Sequence, residues 1–333
     1  MKVIPIISAA GGVGKTTLSL MLSYVLTPHN YNVLLIDMDP TAGLTLRMFG
    51  DLAYYRLLNE RKTLIDMIKD SENKNSVNIR DYIIYGKQVR GYDSDVQLHS
   101  EFYNVAVLPP GEGFDEFFAK HLYRDVGRIV WKVLYKSGID MFDVVIVDTA
   151  PFFDERYTLI ALHNMDRAII VLRPTLTDIN RTNAMINKVS RSFQELDERI
   201  PSFILVFNFE YNKYVIEAKT LEKVLEIKRL DEDVSGRIIS VGITDKAKNI
   251  DEILERNLKE LINRKDVSID YLRYVMPYDV KFSDEVFPRI NYKISSSSRK
   301  IKETDYTILV LTLKHLIEKF DLKLDTAFDV DKY

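Results

Sequence analysis

The feature that most constrains this chain is a glycine-rich loop that joins an apolar segment to an amphipathic one. Residues 3–7 (VIPII) predict a strand, residues 8–14 (SAAGGVG) form a loop of small residues, and residues 15–26 (KTTLSLMLSYVL) have a helical apolar face. Glycines in this position let successive backbone N–H groups converge on a phosphate at the positive end of a helix. The order of the three segments therefore favours a phosphate-binding loop over an ordinary glycine turn.

Two side chains after the loop carry the chemistry of such a site. Lys15 would reach the β- and γ-phosphates of a nucleotide, and the hydroxyl of Thr16 would ligate Mg²⁺. In the preceding strand Pro5 has no N–H group for a sheet ladder, so we expect it at the strand start or at an unpaired position.

Short apolar runs recur along the chain and predict the rest of a sheet. They are rich in β-branched residues and are separated by segments long enough for helices, which is typical of buried parallel strands with helical crossovers. The runs cover residues 3–7, 33–36, 105–108, 144–147, 168–172, 204–207 and 273–276. We predict an α/β fold with a doubly wound, mostly parallel sheet and helices on both faces. A single domain would span residues 1–333, with 211–265 as a helical insertion or lobe.

Three aspartates end two of these runs. Asp37 and Asp39 end the run that starts at residue 33, and Asp148 ends the run that starts at residue 144. In an open parallel sheet the ligand crevice lies beyond the carboxyl ends of the strands, so these side chains should emerge beside the phosphate loop. A single aspartate at a strand end is often only a helix cap, but phosphoryl transfer needs acidic groups here to hold Mg²⁺ and orient water.

Composition narrows the classes of function. The 333 residues include 46 basic and 49 acidic side chains, a net charge of -3, so any contact with nucleic acid or anionic lipid must be a local patch. There is no cysteine, which excludes thiolate zinc sites, iron–sulfur ligation and cysteine nucleophiles. No apolar stretch approaches the ~20 residues of a membrane helix. We expect a soluble, cytoplasmic protein.

These motifs together resemble those of the ParA/MinD family of deviant Walker A P-loop ATPases, which includes plasmid and chromosome partition ATPases. The segments GGVGKTT (11–17), IDMDP (36–40) and VDTAP (147–151) stand in the family's order and spacing. The resemblance covers roughly residues 1–50, 100–210 and 270–320, and it offers no counterpart for 211–265. It implies the P-loop NTPase fold of the deviant Walker A type.

The resemblance also implies roles for the matched residues, with ATP or ADP and Mg²⁺ as cofactors. Asp39 would orient the hydrolytic water, Asp37 would support the metal site, and Asp148 is the Walker B carboxylate. Asn208 matches a strand-end asparagine that contacts adenine, although it is equally suited to a turn, and Pro277 falls where the family lays backbone against the base. The residues implied to bind the phosphates are Gly11, Gly12, Val13, Gly14, Lys15, Thr16 and Thr17.

The chain departs from the family at Ala10, where a lysine usually reaches the partner's phosphates across an ATP-bound dimer, and at Thr41, where glutamine is usual. Such a lysine behaves like an arginine finger, an effect worth on the order of 10³-fold or more in rate. Its absence predicts slow hydrolysis or another basic residue in its place. The candidates are Arg156, Arg173 and Arg181, each of which could instead be an ordinary surface arginine.

The function that the resemblance favours is a partition ATPase. ATP would close a homodimer, the dimer would bind DNA non-specifically on the nucleoid, and a DNA-bound, ParB-like adaptor would stimulate hydrolysis. Such DNA binding needs clustered cations, although basic runs are also common on solvated helix faces. The candidate clusters are Arg299, Lys300 and Lys302, and Arg256, Lys259, Arg264 and Lys265.

Other functions stay open. A regulator that binds ATP with little hydrolysis is suggested by Ala10 and Thr41. A MinD-like, membrane-cycling ATPase would need a basic amphipathic helix at the carboxyl end, whereas KLDTAFDVDKY carries three aspartates and two lysines. A membrane is therefore not an expected partner. An iron–sulfur carrier is argued against by the absence of cysteine, and a small-molecule kinase or ligase would need a substrate pocket that the sequence does not locate.

Overall fold

The computed structural model of the protein describes residues 1–74, 76–88, 102–122, 125–152, 154–209, 214–227, 245–274, 276–277 and 303–324. Its strands are β1 (Lys2–Ile7), β2 (Val33–Met38), β3 (Ile84–Tyr85), β4 (Ala106–Leu108), β5 (Val144–Thr149), β6 (Arg167–Leu172), β7 (Ser202–Phe209), β8 (Ile269–Tyr271) and β9 (Met276–Pro277). Eight of them follow the order β3-β4-β2-β5-β1-β6-β7-β8, and β9 also pairs with β7. The β3–β4 pair is antiparallel and the other pairs are parallel.

Helices cover both faces of this sheet, as predicted. Alternate residues of the central strands point to opposite faces, so Ile4 and Ile146 pack with α1, α2 and α10, while Val145 packs with α3 to α6 and Ile170 with α6 to α9. The helices are α1 (Lys15–Leu26), α2 (Gly43–Asn59), α3 (Leu64–Asn73), α4 (Phe114–Lys120), α5 (Val126–Lys136), α6 (Glu155–Leu162), α7 (Leu176–Glu195), α8 (Val215–Leu225), α9 (Asp245–Ile262) and α10 (Glu303–Glu318). The predicted doubly wound, mostly parallel sheet is thus confirmed.

Six of the seven predicted strands lie where the apolar runs placed them, but the strand predicted over residues 273–276 is wrong in its bounds. β8 and β9 pair one after the other along the same strand, β7, on either side of a bend at Arg273. β8 lies at the sheet edge, where Asp270 is exposed between half-buried Ile269 and Tyr271. An edge strand of this kind has no continuous apolar run, so the pattern of buried runs does not indicate it.

Pro5 lies in the middle of β1, at a position where the missing N–H group removes no ladder bond. The N–H of Lys2 donates to the carbonyl of Asp143 on the β5 side, at 2.8 Å. Because successive residues of a strand direct their N–H groups to alternate sides, the nitrogen of Pro5 faces β6 instead. Pairing of β1 with β6 begins only at Ile6, opposite Ile169. Pro5 therefore lies neither at a strand start nor at a fully unpaired position: it is in register with Val147 of β5, and only its nitrogen side has no partner strand.

The segment 211–265 contributes α8 and α9 between β7 and β8. The two helices pack against each other, α9 also packs against α7, and Leu221, Leu254 and Leu258 are buried in the same cluster as Leu205 of the sheet. The described part of this segment therefore belongs to the core beneath β7. Its status as an insertion and the single domain over residues 1–333 stay predictions. Within the described ranges, no helix is long and apolar enough to cross a membrane.

Candidate functional site

The glycine-rich loop connects β1 to α1 at the carboxyl edge of the sheet. Gly12 and Gly14 have positive φ angles of 68° and 97°, which L side chains rarely adopt, and Gly14 caps the N-terminus of α1. The first-turn N–H groups of α1 point toward the crevice without an acidic side chain to cap them. The structure thus places the seven residues predicted to bind phosphates, 11–17, in the loop and in the first turn of α1, and their contacts with phosphate stay a prediction.

Lys15 is buried beneath this loop. Its Nζ donates to Ser8 Oγ at 2.8 Å, and Ser8 Oγ donates to the carbonyl of Ala10 at 2.7 Å. Burial lowers the pKa of Lys15, while the nearby carboxylates of Asp148 and Asp39 act in the opposite direction. The ammonium group is therefore held at the base of the loop by the neutral hydroxyl of Ser8, and an anion in the loop would meet a desolvated cation.

Asp148, at the end of β5, faces the first turn of α1. Its Oδ2 accepts a hydrogen bond from Thr16 Oγ1 at 2.7 Å and its Oδ1 accepts one from Ser19 Oγ at 3.1 Å. Burial raises the pKa of Asp148 to about 6, and its hydrogen bond with Thr16 and the charge of Lys15 oppose that rise. The sequence motifs do not indicate a role for Ser19. Its spacing of four residues from Lys15, which puts both residues on one helix face, is the signal that could have identified it.

Asp37 ends β2 directly beside Asp148, since the two residues pair in register. Its Oδ2 accepts from Thr45 N at 2.8 Å and from Thr45 Oγ1 at 2.7 Å, and its Oδ1 accepts from Asp39 N at 3.2 Å. Burial, and then the charge of Asp148, raise the pKa of Asp37 to about 7. Two buried carboxylates on adjacent strands thus concentrate negative charge at the mouth of the loop.

These residues fit Mg²⁺. The Thr16 hydroxyl and the Asp148 carboxylate already lie within hydrogen-bond distance of each other, and Asp37 is in register beside Asp148, so the oxygen ligands that Mg²⁺ prefers lie at one place. In the described part of the chain, no group of three or more His, Cys, Asp or Glu side chains could hold a metal ion on its own. Mg²⁺ is commonly held by one or two carboxylates together with phosphate oxygens and water, so such a group is not required.

Asp39 is half-buried in the turn after β2. Its Oδ1 accepts hydrogen bonds from Thr41 N at 2.9 Å and from Thr41 Oγ1 at 2.7 Å. Thr41, one of the two departures from the family pattern, therefore fixes the orientation of the carboxylate predicted to hold water.

Asn208 lies behind the loop, at the end of β7. Its Nδ2 donates to the carbonyl of Val13 at 2.8 Å, and a Cβ built on Gly14 would lie 2.0 Å from that Nδ2. Phe209 pairs with Pro277, so the backbone of Pro277 runs beside the same strand end. The contacts of Asn208 and Pro277 with a base stay predictions; what the structure adds is that Asn208 anchors the phosphate loop.

Two of the three arginines proposed to replace the missing lysine are engaged elsewhere. Arg156 forms a salt bridge with Asp154 and lies over the ring of Phe118, with 4.1 Å from Cζ to the ring centroid. Arg173 Nε donates to Asp178 Oδ2 at 2.7 Å. The third, Arg181, is exposed on α7.

A fourth arginine, which the sequence analysis missed, contacts the loop itself. Arg47 Nη1, on α2, donates to Thr17 Oγ1 at 3.1 Å. Thr17 is buried in the first turn of α1, and Arg47 is half-buried. No local sequence pattern predicts this contact, because the two residues are 30 positions apart and meet only when α2 packs against α1.

The predicted DNA-contacting cations divide into three groups. Arg264 is paired with Asp266, whereas Lys259 shares Glu255 with Lys223, so the charge of Lys259 is only partly offset. Arg256 and Lys265 are exposed to solvent. The cluster at 299–302 lies outside the described residues.

Several known proteins are similar to this chain in sequence. A family model described as an AAA domain matches residues 1–201. An uncharacterized protein of Methanocaldococcus jannaschii is 25% identical over 227 residues, which are 68% of this chain and 78% of that protein. A virulence plasmid ParA family protein of Chlamydia psittaci is 30% identical over 119 residues, which are 34% of this chain and 46% of that protein.

Solved structures show the same fold. A variant of Cyanothece McdA in complex with ATP gives a TM-score of 0.61 at 18% identity, covering 97% of each chain. The MinC:MinD cell division protein complex of Aquifex aeolicus gives 0.52 at 16% identity, covering 96% of each chain. A plasmid partition protein from Borrelia burgdorferi gives 0.50 at 23% identity, covering 78% of this chain and 99% of that one. Because the family model matches residues 1–201 of the 333, this chain belongs to the AAA domain family, and it has the ParA/MinD-like P-loop fold.

Proposed function

We propose that this protein is a partition-type ATPase that binds Mg²⁺–ATP in the 11–17 loop and hydrolyses it to ADP and phosphate. The observation that carries the proposal is the joint placement of Lys15 beneath the loop, Thr16 on Asp148, and Asp39 in the turn beyond β2. Phosphoryl transfer depends on positioning and on electrostatic stabilisation, and these three groups supply both.

Each residue has a distinct part in the reaction. The loop N–H groups and the Lys15 ammonium hold the phosphate oxygens and stabilise the charge that develops on them. We assign Asp39 Oδ2 to the hydrolytic water, since both bonds from Thr41 go to Oδ1 and fix the carboxylate. Asp148 and Thr16 would hold Mg²⁺, and Asp37 would support them through its position beside Asp148. The chemistry that Mg²⁺ would supply at these residues is the offset of negative charge on the phosphates.

The proposed cellular cycle is based on the resemblance to the ParA/MinD family and on the similar plasmid proteins described above. ATP would close a homodimer in the cytoplasm, the dimer would bind DNA non-specifically on the nucleoid, and a DNA-bound adaptor would stimulate hydrolysis and release. Arg256 and Lys265 are two exposed candidates for phosphate contacts. If they bind DNA, reversing the charge of either one should reduce the salt slope of binding by about one, because one phosphate is then no longer neutralised.

The proposal is tested by ATP turnover with and without random-sequence duplex, beside the variant Asp39→Ala. We expect slow turnover in the wild type, none in Asp39→Ala, and ATP-dependent, salt-sensitive retardation of the duplex. Binding of ATP without retardation of DNA would contradict the partition role. Sedimentation with anionic liposomes that depends on ATP would instead support a membrane-cycling ATPase.

A second function, a nucleotide-binding regulator with little hydrolysis, is favoured by one observation. Ala10 is buried, and the candidates Arg156 and Arg173 are tied to Asp154 and Asp178. The variant Ala10→Lys separates the two functions. Turnover that appears only in Ala10→Lys would support the regulator, whereas turnover in the wild type that Asp39→Ala abolishes would support the ATPase.

A further inference from the structure

Arg47 is a cation at the phosphate loop that has no part in the reaction proposed above. It lies in the part of α2 that precedes an interruption of the helix at Gly50, and its Nη1 is 3.1 Å from Thr17 Oγ1. α2 begins at Gly43, directly after the turn that carries Asp39. Arg47 therefore reaches the first turn of α1 from the helix that follows the turn carrying Asp39.

Thr17 is part of the loop at which phosphates would bind. A guanidinium carries five N–H donors in a planar fork, so it can donate to the Thr17 hydroxyl and to a phosphate oxygen together. Arginine is also the residue that best matches the paired oxygens of a phosphate. The contact with Thr17 holds the fork at the positive end of α1, where an anion is already favoured.

Besides Lys15 and the Mg²⁺ that Asp148 and Thr16 would hold, the negative charge around the loop favours a further cation. Asp37, Asp39 and Asp148 bring three carboxyl groups to the crevice, close to the ammonium group of Lys15. A bound nucleoside triphosphate would add further negative charge there. The position that carries a lysine in the family holds the methyl group of Ala10. Arg47 brings a positive charge back to this region.

We propose that Arg47 is a phosphate-binding residue that contacts the phosphates of a nucleoside di- or triphosphate in the loop of its own subunit. This inference rests on the proposed nucleotide site at residues 11–17. It differs from a lysine at position 10 in one respect: Arg47 and the loop belong to one chain, so Arg47 acts in the monomer and needs no partner subunit.

The test is calorimetric binding of ADP and of the non-hydrolysable analogue AMPPNP, both with Mg²⁺, at several salt concentrations. The informative variant is Arg47→Gln, because glutamine keeps N–H donors but has no charge. We expect it to weaken binding of the analogue about 10-fold or more, as removal of a charged hydrogen bond does, and to make the salt dependence shallower. Arg47→Lys should recover part of the affinity, and the exposed arginine of the same helix gives the matched control, Arg56→Ala, with wild-type binding.

Two controls separate this inference from a structural role for Arg47. The unfolding temperature of the nucleotide-free protein should be the same for wild type and Arg47→Gln, and the reduction in affinity should not depend on protein concentration. Wild-type affinity in Arg47→Gln, or a reduction of equal size at every salt concentration, would overturn the inference. If Lys15→Ala bound the analogue as tightly as wild type, the nucleotide site itself would be wrong; weaker binding by Lys15→Ala with wild-type binding by Arg47→Gln would refute only the role of Arg47.

Discussion

Gly14 and Gly12 give a matched pair of substitutions that tests the geometry of the phosphate loop. Both have positive φ angles, 97° and 68°. A Cβ on Gly12 would meet nothing within 4 Å, whereas a Cβ on Gly14 would lie 2.0 Å from Asn208 Nδ2 and 3.3 Å from its Cγ. Gly12→Ala therefore measures the backbone conformation alone, and Gly14→Ala measures the conformation together with a steric conflict.

The magnitudes follow from these two effects. Holding an alanine in the left-handed region costs about 1–2 kcal/mol, which is the decrease in stability expected for Gly12→Ala. Gly14→Ala must also push the Asn208 amide off the Val13 carbonyl, and the unsatisfied group adds about 1–3 kcal/mol. We therefore expect Gly14→Ala to lower the free energy of unfolding by about 2–5 kcal/mol.

The assay is denaturant unfolding of the nucleotide-free protein in a double-mutant cycle with Asn208→Ala. Because that substitution removes the amide, Gly14→Ala should destabilise the Asn208→Ala protein by only about 1–2 kcal/mol, which gives a coupling of about 1–3 kcal/mol. Equal destabilisation by Gly12→Ala and Gly14→Ala, together with zero coupling, would show that Asn208 does not press against the loop, and the anchoring role would be refuted.

Three further results are expected. The pKa of Asp37 is raised to about 7 from an ordinary 3.8, so the carboxyl group binds its proton more tightly in the folded state. Without Mg²⁺ or nucleotide, this group alone should lower the free energy of unfolding by on the order of 4 kcal/mol as the pH rises from about 4 to about 7. In a denaturation series Asp37→Asn should reduce the slope without abolishing it, because Asp148, with a pKa raised to about 6, contributes in the same direction. Trp131→Phe removes the 2.7 Å bond from Nε1 to the Ile160 carbonyl and should destabilise the protein by about 1–3 kcal/mol in the same assay, with unchanged nucleotide affinity. Arg156→Ala removes a partly exposed ion pair with Asp154, so it should change stability by about 1 kcal/mol or less and leave ATP turnover intact; abolished turnover would reinstate Arg156 as the substitute for the lysine.

The parts of the site that the sequence predicts are those fixed by local order. The loop is contiguous from Gly11 to Thr17, so its strand, turn and helix follow from one stretch of sequence. Asp37 and Asp148 follow from two buried runs, because parallel strands bring their carboxyl ends to the same edge. β3 could not be predicted, since two residues at an antiparallel edge carry no periodic signal.

The parts that the sequence does not predict are contacts between distant segments. Arg47 reaches Thr17 only through the packing of α2 on α1, and Asn208 reaches Val13 across 195 residues. A strand-end asparagine is suited to a turn, to a base or to a carbonyl, and only the three-dimensional position distinguishes these partners. The pairing of Arg156 with Asp154 also required the structure, because a spacing of two residues does not by itself bring side chains together.

The most direct test of a nucleotide site at this loop is calorimetric titration of Mg²⁺–ATP analogue into the wild-type protein and into Lys15→Ala, with Thr16→Ala as a second variant. We expect saturable binding by the wild type, none in Lys15→Ala, and binding in Thr16→Ala that no longer responds to Mg²⁺. Equal affinity in the wild type and Lys15→Ala would contradict it, because the buried ammonium beneath the loop would then have no part in holding phosphate.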